Sequence, residues 1–338
     1  MSSEMKKQPG LADVAKRANV AISTVSRTIS GRGKISHETQ EVIRQAMREL
    51  GYQPNRVARR LRSSRGRGGL IGLIIPNVQN SFFSDLARGV EDECYALNYA
   101  VFLCNYDEDA AKQRMYLDVL QAESVDGIII PPLSEHDSAI RQLAQRGLPV
   151  VCVDRSLADV AIDKVEVDNR RGAFEAVQHL LAKGHRRIGI ITGPRNTSTG
   201  RDRLLGYRDA HLAAHVPIDE ELVRFGDFKE QCGRTYAEQL LALANPPTAL
   251  FTCNNLMTIG ALHVVAERQL RIPEQLAVVG FDDMMLADVF TPPLTMISQP
   301  AYDVGRNAAR LLFKRIQEPG KPVEEIVLSP RLIVRRSA

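Results

Sequence analysis

Short apolar runs alternate with longer amphipathic segments from residue 70 to residue 153. The first run, at 70–75, holds only Leu, Ile and Gly, which is typical of a parallel strand buried on both faces. Similar runs return at 127–130 and 150–153, and helical periodicity fills the segments between them. This alternation predicts repeated strand–helix units and therefore a doubly wound parallel sheet.

The same pattern starts again at residues 187–193, whose apolar run echoes the one at 70–75. Further apolar runs at 249–251 and 277–280 again alternate with helical segments. Two similar α/β lobes in tandem predict a cleft between them, because ligands of such folds bind where the carboxyl ends of the strands open.

The first fifty residues follow a different plan, with three amphipathic helices predicted at 11–18, 22–30 and 37–50. Ser36 is placed to cap the third helix, and Gly51 follows its last residue. Two short helices joined by a tight turn and supported by a third are typical of a helix-turn-helix DNA-binding unit. A generic three-helix bundle shows the same periodicity, so this pattern alone leaves both interpretations open.

The second of these helices presents short polar side chains and one arginine, and we expect them to face DNA. Such donors and acceptors have the right reach for base edges and phosphates in the major groove. Arg27 is the candidate for a bidentate contact to guanine. The full set on this helix is Ser23, Thr24, Ser26 and Arg27.

Positive charge is concentrated in the N-terminal part of the chain. Residues 1–67 hold 15 Lys/Arg and 5 Asp/Glu, a net charge of +10, whereas the remaining residues hold 29 and 35, a net charge of −6. A basic head on an acidic body favours a polyanionic partner over a merely solvated charged surface.

Three segments of the head and one leucine resemble the LacI/GalR family of transcriptional regulators. They are Leu-Ala-Asp-Val-Ala at 11–15, Ser-Thr-Val-Ser-Arg at 23–27, and Gly-Tyr-Gln-Pro-Asn-Arg-Val-Ala at 51–58 followed by Leu61. One departure is Ala21, where the family usually has Ser. This loses a helix N-cap worth about 1 kcal/mol.

The resemblance implies DNA contacts from two parts of the head. Ile22, Ser23 and Arg27 match the base-reading positions of the family's recognition helix. The basic segment after residue 54 matches a hinge helix that is ordered on operator DNA, where a leucine wedges into the minor groove. The hinge residues implied to contact DNA are Asn55, Arg56, Ala58 and the wedge, Leu61.

The resemblance runs to the end of the chain and implies a body with the periplasmic sugar-binding-protein fold. The expected fold class is an all-α helix-turn-helix head plus an α/β body of two doubly wound lobes. We place the head at 1–54, the hinge helix and linker at 55–68, and the body at 69–338. The implied fold crosses between its lobes three times, which places lobe one at about 69–167 and 298–326 and lobe two at about 168–297 and 327–336. As in the family, we expect a homodimer that reads palindromic operator DNA.

Polar and aromatic residues stand where the predicted strands of the body end, and we expect them to line one cleft. Carboxylate, amide and guanidinium groups suit adjacent hydroxyls, and aromatic faces cover the apolar side of a sugar ring. Two Asp balance two Arg, which favours a neutral polyol over a phosphorylated effector. The candidates are Asn80, Phe82, Phe83, Asp154, Arg155, Arg201, Phe228, Asn254, Phe281, Asp282 and Gln299.

The same set resembles the pocket of ribose-binding members of this fold, which implies D-ribose as the effector. Two positions depart from that pocket: Ser81 stands in place of a Pro, and Pro131 stands where an Asn ligand would be. Another pentose or hexose, or a purine or nucleoside, therefore remains an alternative. The residues also leave open whether the effector is an inducer or a co-repressor.

Several function classes fit the sequence poorly. No G-x-G-x-x-G follows a strand, and neither a P-loop nor a Ser–His–Asp set is apparent, so we expect no enzyme and no cofactor. The five cysteines are scattered without a C-x-x-C pair, so we expect no metal site. A secreted sugar-binding protein would match the body but not the basic head. With no apolar signal or membrane segment, we expect a cytoplasmic protein without a membrane partner.

Overall fold

A computed structural model describes residues 9–30, 35–52 and 69–338. The chain divides after Gly68 into two compact units, a head and a body. Among the described residues, no helix is both long and apolar enough to cross a membrane.

The head contains three helices, α1 (Leu11–Arg17), α2 (Ile22–Ser30) and α3 (His37–Leu50). The hydroxyl of Ser36 accepts the backbone N–H of Thr39 and caps α3, and Gly51 ends the helix in the left-handed conformation. The helices enclose a small apolar core formed by Val14, Ala15, Ala18, Val25, Ile43 and Ala46. The apolar spacing read from the sequence thus produces the helix-turn-helix arrangement.

The body alternates strands and helices along the whole chain. Its elements are β1 (Leu70–Ile75), α4 (Ser81–Ala96), β2 (Ala100–Asn105), α5 (Ala110–Ala122), β3 (Gly127–Ile130), α6 (Ser138–Gln145), β4 (Val150–Val153), β5 (Asp163–Val167), α7 (Asn169–Ala182), β6 (Ile188–Thr192), α8 (Ser198–Ala213), β7 (Val223–Phe225), α9 (Glu230–Leu241), β8 (Ala249–Thr252), α10 (Asn255–Glu267), β9 (Ala277–Phe281), β10 (Thr295–Ser298), α11 (Ala301–Gln317), β11 (Glu325–Leu328) and β12 (Arg331–Ile333). A short 3₁₀ turn, Glu220–Leu222, precedes β7.

These strands form two separate six-stranded sheets, one in each lobe. Lobe one has the order β11-β5-β4-β3-β1-β2, and all its strand pairs are parallel. Lobe two has the order β12-β10-β9-β8-β6-β7, in which β12 alone runs antiparallel to its neighbour. Two doubly wound lobes confirm the fold class expected from the alternation of apolar runs and helical segments.

The chain crosses between the lobes after β5, after β10 and after β11. The last crossing lies two residues beyond the expected boundary at about 326, because β11 pairs with β5 of lobe one as far as Leu328. Lobe two resumes with β12, which pairs with β10 from Arg331 onward. Only two residues therefore separate these edge strands of the two sheets in the chain.

Candidate functional site

A cavity of about 390 Å³ opens between the carboxyl ends of the two parallel sheets. Its walls come from both lobes, as expected for a doubly wound fold. The lobes also touch beside it. The side-chain amide of Asn255 on α10 donates to the side-chain oxygens of Asn80 and Ser81 at the start of α4, and each donor–acceptor distance is 3.0 Å. On another side the backbone N–H of Ser156 donates to the hydroxyl of Ser198. The two lobes thus contact each other on two sides of the cavity.

Aromatic rings form the apolar walls of this cavity. Phe82 and Phe83, in the first turn of α4, pack edge to face with their ring centroids 5.0 Å apart. Phe228 faces them from lobe two, and its backbone has a positive φ of 65°. The amide of Asn254 donates to the carbonyl of Phe228 and also accepts from the N–H of Met257, which fixes the loop against the start of α10. These rings can cover the apolar face of a flat ligand.

Two buried carboxylates occupy equivalent places in the two lobes. Asp154 follows β4 and Asp282 follows β9, each at the carboxyl end of its sheet and each with a positive φ, 61° and 68°. Burial raises the pKa of Asp154 to about 6, although Arg155 and Arg203 oppose the rise. Burial also raises the pKa of Asp282, against the opposing charge of Arg203. Unusual backbone and raised pKa values are common where a protein holds a carboxylate ready for a ligand.

Arg203 on α8 is buried and held from several sides. Its guanidinium donates to the side-chain oxygen of Asn169 over 2.8 Å and to the carbonyl of Cys253. It lies 3.9 Å from the ring centroid of Phe281 and 4.0 Å from the carboxylate of Asp282. Since these contacts fix the guanidinium, it presents a preorganised donor at the cavity wall.

Arg155 is also buried, and most of its hydrogen-bonding capacity is taken by Glu108. The two terminal nitrogens donate to the two carboxylate oxygens of Glu108 over 2.9 and 2.5 Å. The Nε atom lies 3.6 Å from the carboxylate of Asp154 and has no hydrogen-bond partner among the described residues. Glu108 was not among the residues singled out from the sequence, although it lines the cavity.

The structure brings eight of the eleven expected residues to the cavity wall: Asn80, Phe82, Phe83, Asp154, Arg155, Phe228, Asn254 and Asp282. Phe281 instead lies fully buried beneath the guanidinium of Arg203. Gln299 stands behind Asp282 and donates to its carboxylate. These two residues therefore support cavity-lining groups rather than face the cavity.

Arg201 is not on the cavity wall, and its place is taken by Arg203. The side chain of Arg201 is 46% exposed and forms ion pairs with Glu135 and Asp202. Arg203 lies two residues later on α8 and shares the buried face of that helix with Thr199, which also lines the cavity. Two residues apart on a helix means about 200° of rotation. The spacing of four between Thr199 and Arg203 was the signal that could have identified the right arginine.

The candidate DNA-reading residues of the head lie on α2. Ile22, Ser23 and Arg27 are exposed, whereas Thr24 and Ser26 are half-buried. The exposed side of α2 therefore presents Ile22, Ser23 and Arg27. The hinge residues Asn55, Arg56, Ala58 and Leu61 lie outside the described residues.

No cluster of three or more His, Cys, Asp or Glu suited to a metal ion occurs within residues 9–30, 35–52 and 69–338. The five cysteines, all in the body, are unpaired with one another. Burial raises the pKa of Cys94 to about 12, so this thiol stays protonated and unreactive at neutral pH.

Comparison with known protein families finds two matches along this chain. Residues 10–55 match the model of bacterial regulatory proteins, lacI family, and residues 177–338 match the periplasmic binding protein-like domain. The HTH-type transcriptional regulator DegA of Bacillus subtilis is 35% identical over 96% of this chain and 96% of its own length. The HTH-type transcriptional repressor PurR of Klebsiella pneumoniae is 34% identical over 97% of this chain and 96% of its own.

Solved structures of similar proteins contain different sugars. The complex of the transcriptional regulator CelR with cellobiose is 33% identical, has a TM-score of 0.75, and covers 98% of this chain and 100% of its own. A LacI family transcriptional regulator from Enterococcus faecium with bound ribose is 32% identical, has a TM-score of 0.71, and covers 80% of this chain and 98% of its own.

Proposed function

We propose that this chain, which belongs to the lacI family of bacterial regulatory proteins, represses transcription until D-ribose releases it from its operator. The general function follows from the family: the chain is a DNA-binding transcriptional repressor that senses a small molecule. The identity of the effector, the sign of the response and the residues that bind it are our proposal.

The observation that carries the ribose assignment is the composition of the cavity wall. Asp154 and Asp282 offer charged acceptors to hydroxyl groups, with Arg155 beside Asp154 and Arg203 beside Asp282. Phe82 and Phe228 supply the apolar faces that stack on a sugar ring. Charged acceptors between aromatic walls suit a neutral polyol. The ribose bound to the Enterococcus faecium regulator supports a pentose.

Our proposed mechanism couples this cavity to DNA through the cytoplasmic homodimer. Ribose bridges the two lobes, closes the cleft and shifts lobe one against its dimer mate, and the hinge segments that carry Leu61 separate. Such coupling requires that ribose bind more tightly to the DNA-free form than to the operator-bound form. The two heads of the dimer then no longer contact both half-sites of the palindromic operator at the same time.

Calorimetric titration of D-ribose into the purified protein tests the effector. We expect saturable binding that weakens about tenfold or more in Asp282→Ala, because the variant loses a charged acceptor for sugar hydroxyls. Absence of heat from a folded wild-type dimer would reject ribose and leave the repressor assignment unchanged.

A second candidate effector is a larger sugar or a ribonucleoside. A cavity of about 390 Å³ lies within the roughly 300–1,000 Å³ range of clefts that hold drug-sized ligands, so a single pentose leaves space. The cellobiose bound to CelR is an example in a similar structure. Titration of cellobiose, adenosine and cytidine beside ribose ranks these classes.

We expect Arg27→Ala to reduce specific DNA binding without affecting the effector cavity. Loss of a bidentate contact to guanine costs about 1–3 kcal/mol, or roughly 5- to 150-fold in affinity. Selection from random DNA identifies the operator, and fluorescence anisotropy then measures affinity for it and for unrelated DNA. Arg44→Ala is the matched control, since Arg44 is exposed on α3 and pairs with Glu41. If Arg27→Ala weakens binding to the operator and to unrelated DNA equally, Arg27 contacts phosphate and does not read a base.

A further inference from the structure

A buried arginine beside an open cavity is ordinarily a receptor for carboxylate or phosphate, because its planar fork matches both anions. Arg155 is such a residue: its side chain is 4% exposed and it lines the cavity. In this protein the fork is already filled, since both terminal nitrogens donate to Glu108. The chain thus carries an internal carboxylate where an anionic ligand would otherwise bind.

The loop that delivers Glu108 is built to hold it in place. Asp107 and Glu108 follow β2 with positive φ angles of 55° and 58°, a conformation that non-glycine residues seldom adopt. On one side Tyr106 is fully buried, and its hydroxyl donates to the carbonyl of Pro131. On the other side Asp109 caps α5 by accepting the N–H groups of Ala111 and Lys112. The turn between these two anchors directs the Glu108 carboxylate at Arg155.

Glu108 also changes the net charge of the side chains in and beside the buried part of the cavity wall. The ionised buried side chains at the cavity wall would be Asp154, Asp282, Arg155 and Arg203, with a net charge of zero. Glu108, whose side chain is 18% exposed, makes that net charge −1. An anionic ligand would therefore meet both a filled fork and a net repulsive charge.

We propose that Glu108 is a specificity-determining residue that restricts this cavity to uncharged ligands by occupying the guanidinium of Arg155. The proposal rests on the proposed function for the kind of ligand, a sugar, but the exclusion of anions is independent of which sugar binds. It predicts that the protein distinguishes a sugar from its own phosphate ester. A role limited to stabilising the loop would not alter the preference for charge.

Titration of inorganic phosphate and of D-ribose 5-phosphate into Glu108→Gln tests this proposal. The substitution keeps the size of the side chain, removes its charge and frees at least one terminal nitrogen of Arg155. We expect phosphate and ribose 5-phosphate to bind this variant at least tenfold more tightly than they bind the wild type. Glu108→Ser is a second variant that removes the partner entirely, and circular dichroism verifies that each protein is folded.

Glu220→Gln is the matched control for loss of an Arg–Glu pair. Arg208 donates to both carboxylate oxygens of Glu220 over 2.9 and 3.1 Å, but this pair is exposed on lobe two. We expect this variant to remain as insensitive to phosphate as the wild type. If the folded Glu108 variants gain no affinity for either anion, or if the wild type already binds ribose 5-phosphate as tightly as ribose, Glu108 does not set the charge preference.

These outcomes separate the two proposals. A wild type that ignores ribose, together with a Glu108→Gln variant that binds phosphate, would reject the ribose assignment and support the role of Glu108. A wild type that binds ribose, together with folded Glu108 variants that bind neither anion, would support the ribose assignment and reject the role of Glu108.

Discussion

Asp154→Asn is expected to stabilise the ligand-free protein and to remove tight ribose binding. Burial raises the pKa of this carboxyl from 3.8 to about 6, so keeping it ionised at pH 8 costs folding free energy on the order of 3 kcal/mol. Asparagine accepts the left-handed backbone of this position and carries no charge. It is also a weaker acceptor for sugar hydroxyls, which we expect to weaken ribose binding by roughly 10- to 150-fold.

The sign of the pH dependence follows from the same shift. The folded protein holds the Asp154 proton more tightly than the unfolded chain, so wild-type stability rises as the pH falls from about 6 towards 4. The advantage of Asp154→Asn is therefore full at pH 8 and about half as large at pH 5. Ribose binding to the wild type should weaken below about pH 6, as the carboxylate becomes protonated.

Urea unfolding at pH 8 and pH 5 measures this difference. Asp209→Asn is a control of opposite sign, because a hydrogen bond from Arg170 lowers the pKa of Asp209. That variant is expected to lose stability at pH 8. If Asp154→Asn is less stable than the wild type at both pH values, the charge of Asp154 is compensated by Arg155 more fully than its raised pKa implies.

Arg203→Met is expected to reduce ribose affinity by roughly 100-fold or more, whereas Arg201→Met changes it threefold or less. Hydrogen bonds from a charged donor contribute about 1.5–3 kcal/mol, and Arg203 also positions Asp282 and lies against Phe281. Arg201 is exposed, and its ion pairs with Glu135 and Asp202 lie outside the cavity.

Calorimetric titration of ribose into both variants, and into Arg203→Lys as a third, measures these changes in affinity. Loss of Arg203 leaves Asn169 and the Cys253 carbonyl without their donor, so thermal unfolding must verify that Arg203→Met remains folded. Arg203→Lys retains the charge and separates loss of charge from loss of the planar fork. Stronger loss from Arg201→Met than from either Arg203 variant would contradict the placement of Arg203 on the cavity wall.

Much of the cavity wall could be predicted because strand ends are recognisable in the sequence. Asp154 and Asp282 directly follow apolar runs, and the carboxyl ends of parallel strands open on one edge of a sheet. Phe82 and Phe83 follow the first strand by the same logic. The cavity-lining residues of α8 were harder to predict, because the rotation of this helix about its axis decides which of Arg201 and Arg203 points inward. The sequence indicates this rotation only through the four-residue spacing of Thr199, Arg203 and Tyr207, all of which are buried.

Glu108 could not have been predicted from local pattern. It lies 47 residues before Arg155, in an acidic turn that reads as an ordinary solvated loop. Only the packing of the loop after β2 near the end of β4 brings the carboxylate to the guanidinium. For the same reason, Gln299 and Phe281 could be assigned to the neighbourhood of the site but not to supporting positions behind Asp282 and Arg203.

The sequence by itself determined the helix-turn-helix head, the two α/β lobes and the family. Motifs are local, and the spacing of apolar residues within each strand or helix shows which of its faces is buried. The tertiary structure alone decided which arginine lines the cavity and that Glu108 fills the planar guanidinium fork of Arg155. These features depend on distances between residues far apart in the chain, and such distances arise only when the sheets, their crossings and their loops pack together.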